Sequence, residues 1–353
     1  MSRTQPVREG EELDWPSLFA YLHEHIPGLE GQPDVSQYPA GNSNLTYCLR
    51  YTNADLVVRR PPFGSKVKSA HSMIREYRIM KALKPVFPAV PEVLAYSDDD
   101  NIIGAEFYVM RRVDGQVAAG KELPAAWGFS ERETRELCIS FWSKLIELHQ
   151  VDYIAAGLED FGRPEGYARR QVEGWNKRMQ KAATADGERF EDVQEWLVGN
   201  LPATEPAAAI LHGDFRLDNV ILDKNDPLKV IALLDWEICA LGNPLMDLGN
   251  ALAYWIEPGD PDYLQSIMMQ PSAAPGMLTR QEIVELYAEK SAASVTDYTF
   301  YYTFGLFRNA VILQQIYYRY FHKLTRDKRF SQFGVVVQAL GNHCRGLIKK
   351  NSG

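Results

Sequence analysis

Three features of this 353-residue chain predict an α+β fold in two lobes. Strand-like runs and turn dipeptides crowd its beginning. Helical periodicity dominates the remainder. A polar cluster flanked by short apolar runs, Ile210–Leu222 followed by Val230–Glu237, interrupts that helical part. The turn Asp114-Gly115 marks the boundary. Residues 1–113 are then a small lobe, an antiparallel sheet plus helix with a further N-terminal helix, and residues 114–353 are a larger, mainly helical lobe.

Composition narrows the function classes. Hydrophobic residues make up 46% and charged residues 24%, as in ordinary globular proteins. The formal net charge of −8 argues against a nucleic-acid binder, which would carry a basic excess. A local cationic pocket for phosphates remains compatible with it. Cys48, Cys138, Cys239 and Cys344 are far apart and form no Cys-x-x-Cys pair, so they read as buried small hydrophobes. The first ten residues carry no apolar signal region, and no run of eighteen apolar residues exists. The expectation is a cytoplasmic protein without a membrane partner. Nothing in the sequence speaks to its oligomeric state.

In chain order, Asp14 caps a first helix with Pro16 in its first turn. Trp15, Leu18, Phe19 and Leu22 recur at helical spacing, and Pro27-Gly28 ends it. Val35–Tyr38, Leu45–Tyr51 and Leu56–Arg59 read as strands. Pro61-Pro62 stops the third of them. Ala70–Leu83 reads as a helix with Met73, Tyr77 and Met80 on one face. A loop marked by Pro85, Pro88 and Pro91 follows, and then Ile102-Ile103 and Phe107–Val113 read as strands. In the second lobe Ser130-Glu-Arg-Glu133 is a capping box ahead of the stripe Leu137, Phe141, Leu145, Leu148. His149 at its end reads as a structural hydrogen-bonder. Helices are predicted over Tyr167–Ala182 and Phe190–Leu201, and Thr279-Arg-Gln-Glu282 is a second capping box. The aromatic runs Tyr298–Phe304 and Tyr317–Phe321 read as core, with an acceptor pocket as the rival reading.

The polar cluster carries the chemistry. Asp226-Pro227 breaks the chain, so Val220–Leu222 and Val230–Leu234 are placed to pair as a hairpin. Asp214, Asn219 and Asp235 sit at the ends of the apolar runs. A carboxylate such as Asp214 can accept the proton of a hydroxyl nucleophile. Asn219 and Asp235 supply the hard oxygens that Mg²⁺ takes, few in number because phosphates and water complete its shell. Four residues separate Asp214 from Asn219, the separation found in the kinase catalytic loop, and a metal-binding Asp follows later in both.

His212-Gly-Asp-Phe215 with Asn219, then Leu233-Leu-Asp-Trp-Glu237, then Gly242-Asn-Pro-Leu-Met-Asp-Leu248, resembles the aminoglycoside phosphotransferase family of kinase-like enzymes. The likeness extends from about Tyr38 onward and is strongest to the branch also found fused to acyl-CoA dehydrogenases. It implies a bilobal protein-kinase-like fold, ATP and Mg²⁺ as cofactors, and transfer of the γ-phosphate to a hydroxyl of a small-molecule acceptor. That acceptor is an aminoglycoside-like compound by the family as a whole, or a hydroxyacyl thioester by the branch. A nucleotide-binding protein without transfer is the rival reading.

The resemblance also assigns roles. Asp214 is the base, with Arg216 either approaching the transferred phosphate or bridging to a neighbouring carboxylate. Asn219 and Asp235 hold the metal, with Asp218 and Glu237 as lesser candidates. His212 and Asp247 support the loop. In the first lobe Gly41, Ser43 and Asn44 form a loop able to lie over nucleotide phosphates, or a plain hairpin turn. The kinase Lys position falls on Arg59, with Glu76 as its partner, and here the chain departs from the family pattern. Strand alternation turns Arg60 the other way, where truncation is expected to do little. Met110 to Arg112 matches the connector whose main chain binds adenine, which nominates Met110 and Arg112.

Overall fold

The structure is a computed structural model. It describes all residues except 1–3, 40–43, 65–71, 292–294, 296–297 and 352–353. The chain divides into two compact units. The first comprises Met1–Val117, Ile154–Leu158 and Asn219–Ile238; the second comprises Ala118–Tyr153, Glu159–Asp218 and Cys239–Gly353. The segment Asn219–Ile238, which carries the predicted hairpin, therefore counts with the first unit, although it lies beyond the sequence boundary at residue 113.

In the first unit α1 (Trp15–His25) starts where expected, with Asp14 accepting the Ser17 N–H at 3.1 Å. Five strands form one antiparallel sheet: β1 (Asp34–Gln37), β2 (Leu45–Arg50), β3 (Asp55–Arg60), β4 (Val93–Ser97) and β5 (Phe107–Arg111), in the order β1-β2-β3-β5-β4. Alternation sorts the side chains between its two faces. Leu45, Tyr47, Leu49, Leu56, Val58, Phe107 and Val109 share one buried cluster with Leu18 and Leu22 of α1. Arg59 and Tyr108 are direct cross-strand partners, so both point to the opposite face. There α2 (Met73–Leu83) brings Glu76, which is 2% exposed.

One expectation fails in this unit. Ile102-Ile103 is not a strand but the end of a short helix, α3 (Asp100–Ile103). Asp99 accepts the Asn101 N–H at 2.9 Å, and Gly104 takes the left-handed conformation that terminates the turn. Two β-branched residues carry too weak a signal to resist a cap at one end and a glycine at the other. The sheet's outer strand is instead β4, which shows no clean alternation and was hidden behind the proline-marked loop. Arg60 turns away from Arg59, as alternation predicts, and on that face it is only 2% exposed. Its guanidinium donates to Ile103 O and its Nε to Pro61 O, both at 3.0 Å, and it lies over the Phe63 ring.

The hairpin Val220–Asp223 with Val230–Leu233 is antiparallel, as read from the sequence, and Gly115–Gln116 adds along the first of its strands.

The second unit is mainly helical: α4 (Glu131–His149), α5 (Tyr167–Lys181), α6 (Glu191–Gly199), α7 (Pro244–Ala253), α8 (Asp262–Ser266), α9 (Arg280–Ser291), α10 (Thr299–Phe321) and α11 (Phe333–Asn351). Both capping boxes form, Ser130 with Glu133 and Thr279 with Glu282. Helix α10 packs against α7 so closely that Gly249 and Gly305 meet; a Cβ on Gly305 would lie 2.4 Å from Gly249 O. The run Phe300–Phe307 is buried there, which settles that aromatic stretch as core. Among the described residues no helix is long and apolar enough to cross a membrane.

Candidate active site

The loop 212–219, where the sequence places the catalytic residues, follows the short strand Ala209–Leu211, which pairs with Ala240–Gly242. Gly213 has φ +82°, a conformation that favours glycine, and it turns the chain so that Asp214 follows at once. Asp247, at the start of α7, holds this turn. It accepts the His212 N–H at 2.7 Å and the Gly213 N–H at 2.8 Å. Burial disfavours its charge, but the His149 hydrogen bond, the nearby His149 and His212 rings and the His212 N–H outweigh it and keep its carboxyl below the usual range. His149 bridges onward, with Nε2 3.2 Å from Asp247 and Nδ1 2.8 Å from the Tyr287 hydroxyl. Its structural reading matches that geometry. The His212 ring is fully buried and its Nδ1 faces the Asp214 N–H at 3.4 Å, so it braces the loop from inside.

Arg216 forms the carboxylate bridge of its two expected alternatives. Its guanidinium lies 3.5 Å from Asp214 and 3.2 Å from Asp218. Two supports of the loop were not legible in sequence. Gln270 accepts the Leu217 N–H at 2.8 Å, and the buried Arg308 donates to Gly213 O at 3.2 Å. Met269 also contacts Arg216, at 3.6 Å. The segment Met268–Pro275 also contributes to a cavity of about 500 Å³ lined by Leu123, Trp127, Phe129, Thr134, Met268 and Pro275 among others.

A second group of the expected residues belongs to the first unit. Asn219 opens the hairpin and its carbonyl accepts the Leu234 N–H at 2.7 Å, which sets Asn219 beside the chain entering Asp235. Asp235 has φ +66°, left-handed backbone that is strained for a residue other than glycine. Its carboxylate oxygens and the Asn219 amide oxygen are hard donors suited to Mg²⁺. Among the described residues no three His, Cys, Asp or Glu side chains form a metal cage, and a cation that shares its shell with phosphates and water needs none.

Arg59 is drawn into this group. Its Nη2 lies 2.8 Å from Asp235 Oδ1 and 3.4 Å from Glu237 Oε2, and its Nε lies 3.5 Å from Glu76 Oε2. The expected pairing with Glu76 is present, but the shorter contact is to Asp235. Burial opposes its charge, while Tyr108, Glu76 and Asp235 hold it firmly protonated. Glu76 is raised to about 7 by burial, against the pull of Arg59 and the Tyr108 hydroxyl, which donates to Oε2 at 2.9 Å. Tyr108 is a further residue that the sequence did not reveal. It reads as core, and only the β3–β5 register brings its hydroxyl to Glu76.

Asn44 is 3% exposed, and its amide donates to Glu237 at 3.2 Å and to Glu76 at 3.5 Å. It therefore ties carboxylates together where the sequence placed it over phosphates. Gly41 and Ser43 lie outside the described residues. Met110 is paired within the sheet between Val57 and Val93. The Arg112 N–H is taken by Asp55 O at 2.9 Å, and its side chain reaches Tyr38, Asp55 and Asp114.

The family model named Phosphotransferase enzyme family matches residues 34–282. Acyl-CoA dehydrogenase family member 11 of Gallus gallus is 33% identical over 356 residues, covering 99% of this chain and 45% of that protein. Acyl-CoA dehydrogenase family member 10 of Mus musculus is 34% identical over 320 residues, covering 90% of this chain and 29% of that protein. The chain thus spans less than half the length of these curated relatives. Among solved structures, a candidate aminoglycoside phosphotransferase from Ralstonia eutropha JMP134 has TM-score 0.83 at 31% identity, with 96% of this chain and 99% of that one covered. Choline kinase from Cryptosporidium parvum Iowa II has TM-score 0.63 at 13% identity over 96% of each chain, a likeness of the kinase-like fold.

Proposed function

The chain belongs to the phosphotransferase enzyme family, and from that premise we propose that it transfers the γ-phosphate of ATP to a hydroxyl of a small molecule with Mg²⁺ as cofactor. One observation carries this reading. The backbone hydrogen bond from Leu234 N to Asn219 O at 2.7 Å runs the chain entering Asp235 alongside Asn219, and the loop before Asn219 has the N–H groups of His212 and Gly213 held by the buried Asp247.

In this reading Asp214 orients the acceptor hydroxyl and accepts its proton. Asn219 and Asp235 hold the cation. Mg²⁺ bound there supplies charge neutralisation to the phosphates. Arg59 adds a second positive charge toward them, and Arg216, 3.5 Å from Asp214, holds its carboxylate in place. Little covalent chemistry falls to the protein, so positioning and electrostatics account for most of the acceleration.

The acceptor reading rests on the cavity beside Met268–Pro275. Its lining is apolar and aromatic, with Lys121 and Glu122 among its charged members. A polycationic aminoglycoside calls for a wall of carboxylates, whereas a hydroxyl compound with an apolar body suits this lining. The names of the two curated relatives described above, acyl-CoA dehydrogenase family members 11 and 10, support a hydroxyacyl thioester in that class.

A nucleotide-binding protein without transfer is the second reading, favoured by the Arg59–Asp235 contact where the family pattern has Lys. Measuring ADP release with and without a panel of hydroxyl acceptors separates the two. Acceptor-dependent ADP release that vanishes in Asp214→Ala supports transfer. Nucleotide binding with no release for any acceptor overturns it.

A further inference from the structure

Four charged side chains of the first unit share one cluster, and their signs do not balance. Arg59 supplies one positive charge; Glu76, Asp235 and Glu237 carry the carboxylates around it. Its closest contact is to the oxygen pair that the proposed cation would need. The contact is also incomplete. The Arg59 Nε–H is buried without a hydrogen-bond acceptor among the described residues, and Asn44 Oδ1 is buried without a donor. A guanidinium that has committed Nη2 to Asp235 and whose Nε meets Glu76 only as an ion pair at 3.5 Å, without a hydrogen bond, is held where it is by charge more than by fit.

We propose that Arg59 sets the loading order of this site: it occupies Asp235 until a nucleotide's phosphates draw it away, so the divalent cation is admitted with or after the nucleotide and not before. The proposal rests on the reading of Asp235 as a cation ligand. Its physical basis is competition between like charges. Mg²⁺ requires oxygens at about 2.0–2.1 Å in near-octahedral array. A guanidinium nitrogen 2.8 Å from Asp235 Oδ1 already neutralises that carboxylate and repels a second cation placed on it. Phosphate oxygens offer the planar fork a better acceptor, to which it can donate two parallel N–H bonds. Once the fork turns to them, the Asp235 carboxylate is open to the metal. Asn44 keeps Glu237 and Glu76 apart from the exchange by holding both through its amide.

The test measures Mn²⁺ binding to the full chain by electron paramagnetic resonance, which reads the metal and not turnover. Without nucleotide, Arg59→Met is expected to bind Mn²⁺ at least tenfold more tightly than wild type. With a non-hydrolysable ATP analogue the order is expected to reverse, because the variant has lost its phosphate contact. Equal Mn²⁺ affinities of the two nucleotide-free proteins overturn the loading order while leaving the metal reading intact. No protein-dependent Mn²⁺ binding in wild type even with the analogue present overturns the metal reading itself, and the proposal with it. Should Arg59→Met fail to fold, Arg59→Gln takes its place with the same expectations; it keeps a hydrogen-bonding amide and discards the charge.

Discussion

The Asp247 carboxylate accepts the backbone N–H of Gly213 at 2.8 Å, with its other oxygen on His212 N–H at 2.7 Å. One buried side chain thus fixes the two peptide groups that immediately precede Asp214. Asp247→Ala is expected to leave both donors unpaired, at about 1–3 kcal/mol each. Asp247→Asn keeps one acceptor oxygen and is expected to fold while losing turnover. Thermal melting beside kinetics checks this. An alanine variant that melts with wild type would show that the loop is anchored elsewhere.

Asp214→Ala is expected to lower turnover by roughly 10²–10⁴-fold, the usual worth of a general base, with nucleotide affinity nearly intact. Turnover and nucleotide binding are measured on the same preparation. Residual turnover within tenfold of wild type removes Asp214 from the role of base.

Glu76 gives a pH signature in stability. Its carboxyl is raised from 4.5 to about 7, chiefly by burial. In that window the folded state binds more protons than the unfolded one, so the contribution of Glu76 is full below about pH 4.5 and is lost as pH rises through about 7. Relative to Glu76→Gln, wild type is expected to lose roughly 3 kcal/mol of unfolding free energy across the window. Denaturant titrations at pH 5 and pH 8 on both proteins test it. Parallel pH dependences would contradict the burial argument.

Arg60→Ala is expected to act on stability and not on nucleotide affinity. Its guanidinium is buried on the face opposite Arg59 and satisfies Ile103 O. Losing that bond and its packing is expected to cost about 1–3 kcal/mol. A stable Arg60→Ala protein with impaired nucleotide binding would reverse the assignment of faces.

Trp127→Ala probes the cavity. Trp127 lines it, stacks obliquely on Phe129 with centroids 5.3 Å apart, and is not part of the buried core. Removing it is expected to raise KM for an apolar acceptor by about tenfold, the order of its lost apolar burial, while KM for ATP stays put. A change confined to ATP would place the acceptor elsewhere.

What the sequence determined by itself is local. The separation of Asp214 from Asn219 is a property of the chain, and so is the hairpin at Val220–Asp223 and Val230–Leu233, because short apolar runs around Asp226-Pro227 leave few other pairings. Capping boxes at Ser130 and Thr279 are read within four residues and form within four residues. Period-two alternation was enough to separate Arg59 from Arg60. Tertiary structure decided the rest. It made Arg60 a buried residue, because the end of α3 puts the Ile103 carbonyl within its reach. It gave Glu76 a tyrosine, Asn44 two carboxylates, and Leu217 a glutamine from 53 positions away. None of these partners has a sequence pattern of its own: a polar group taken out of water must find a partner, and only the folded chain selects which one.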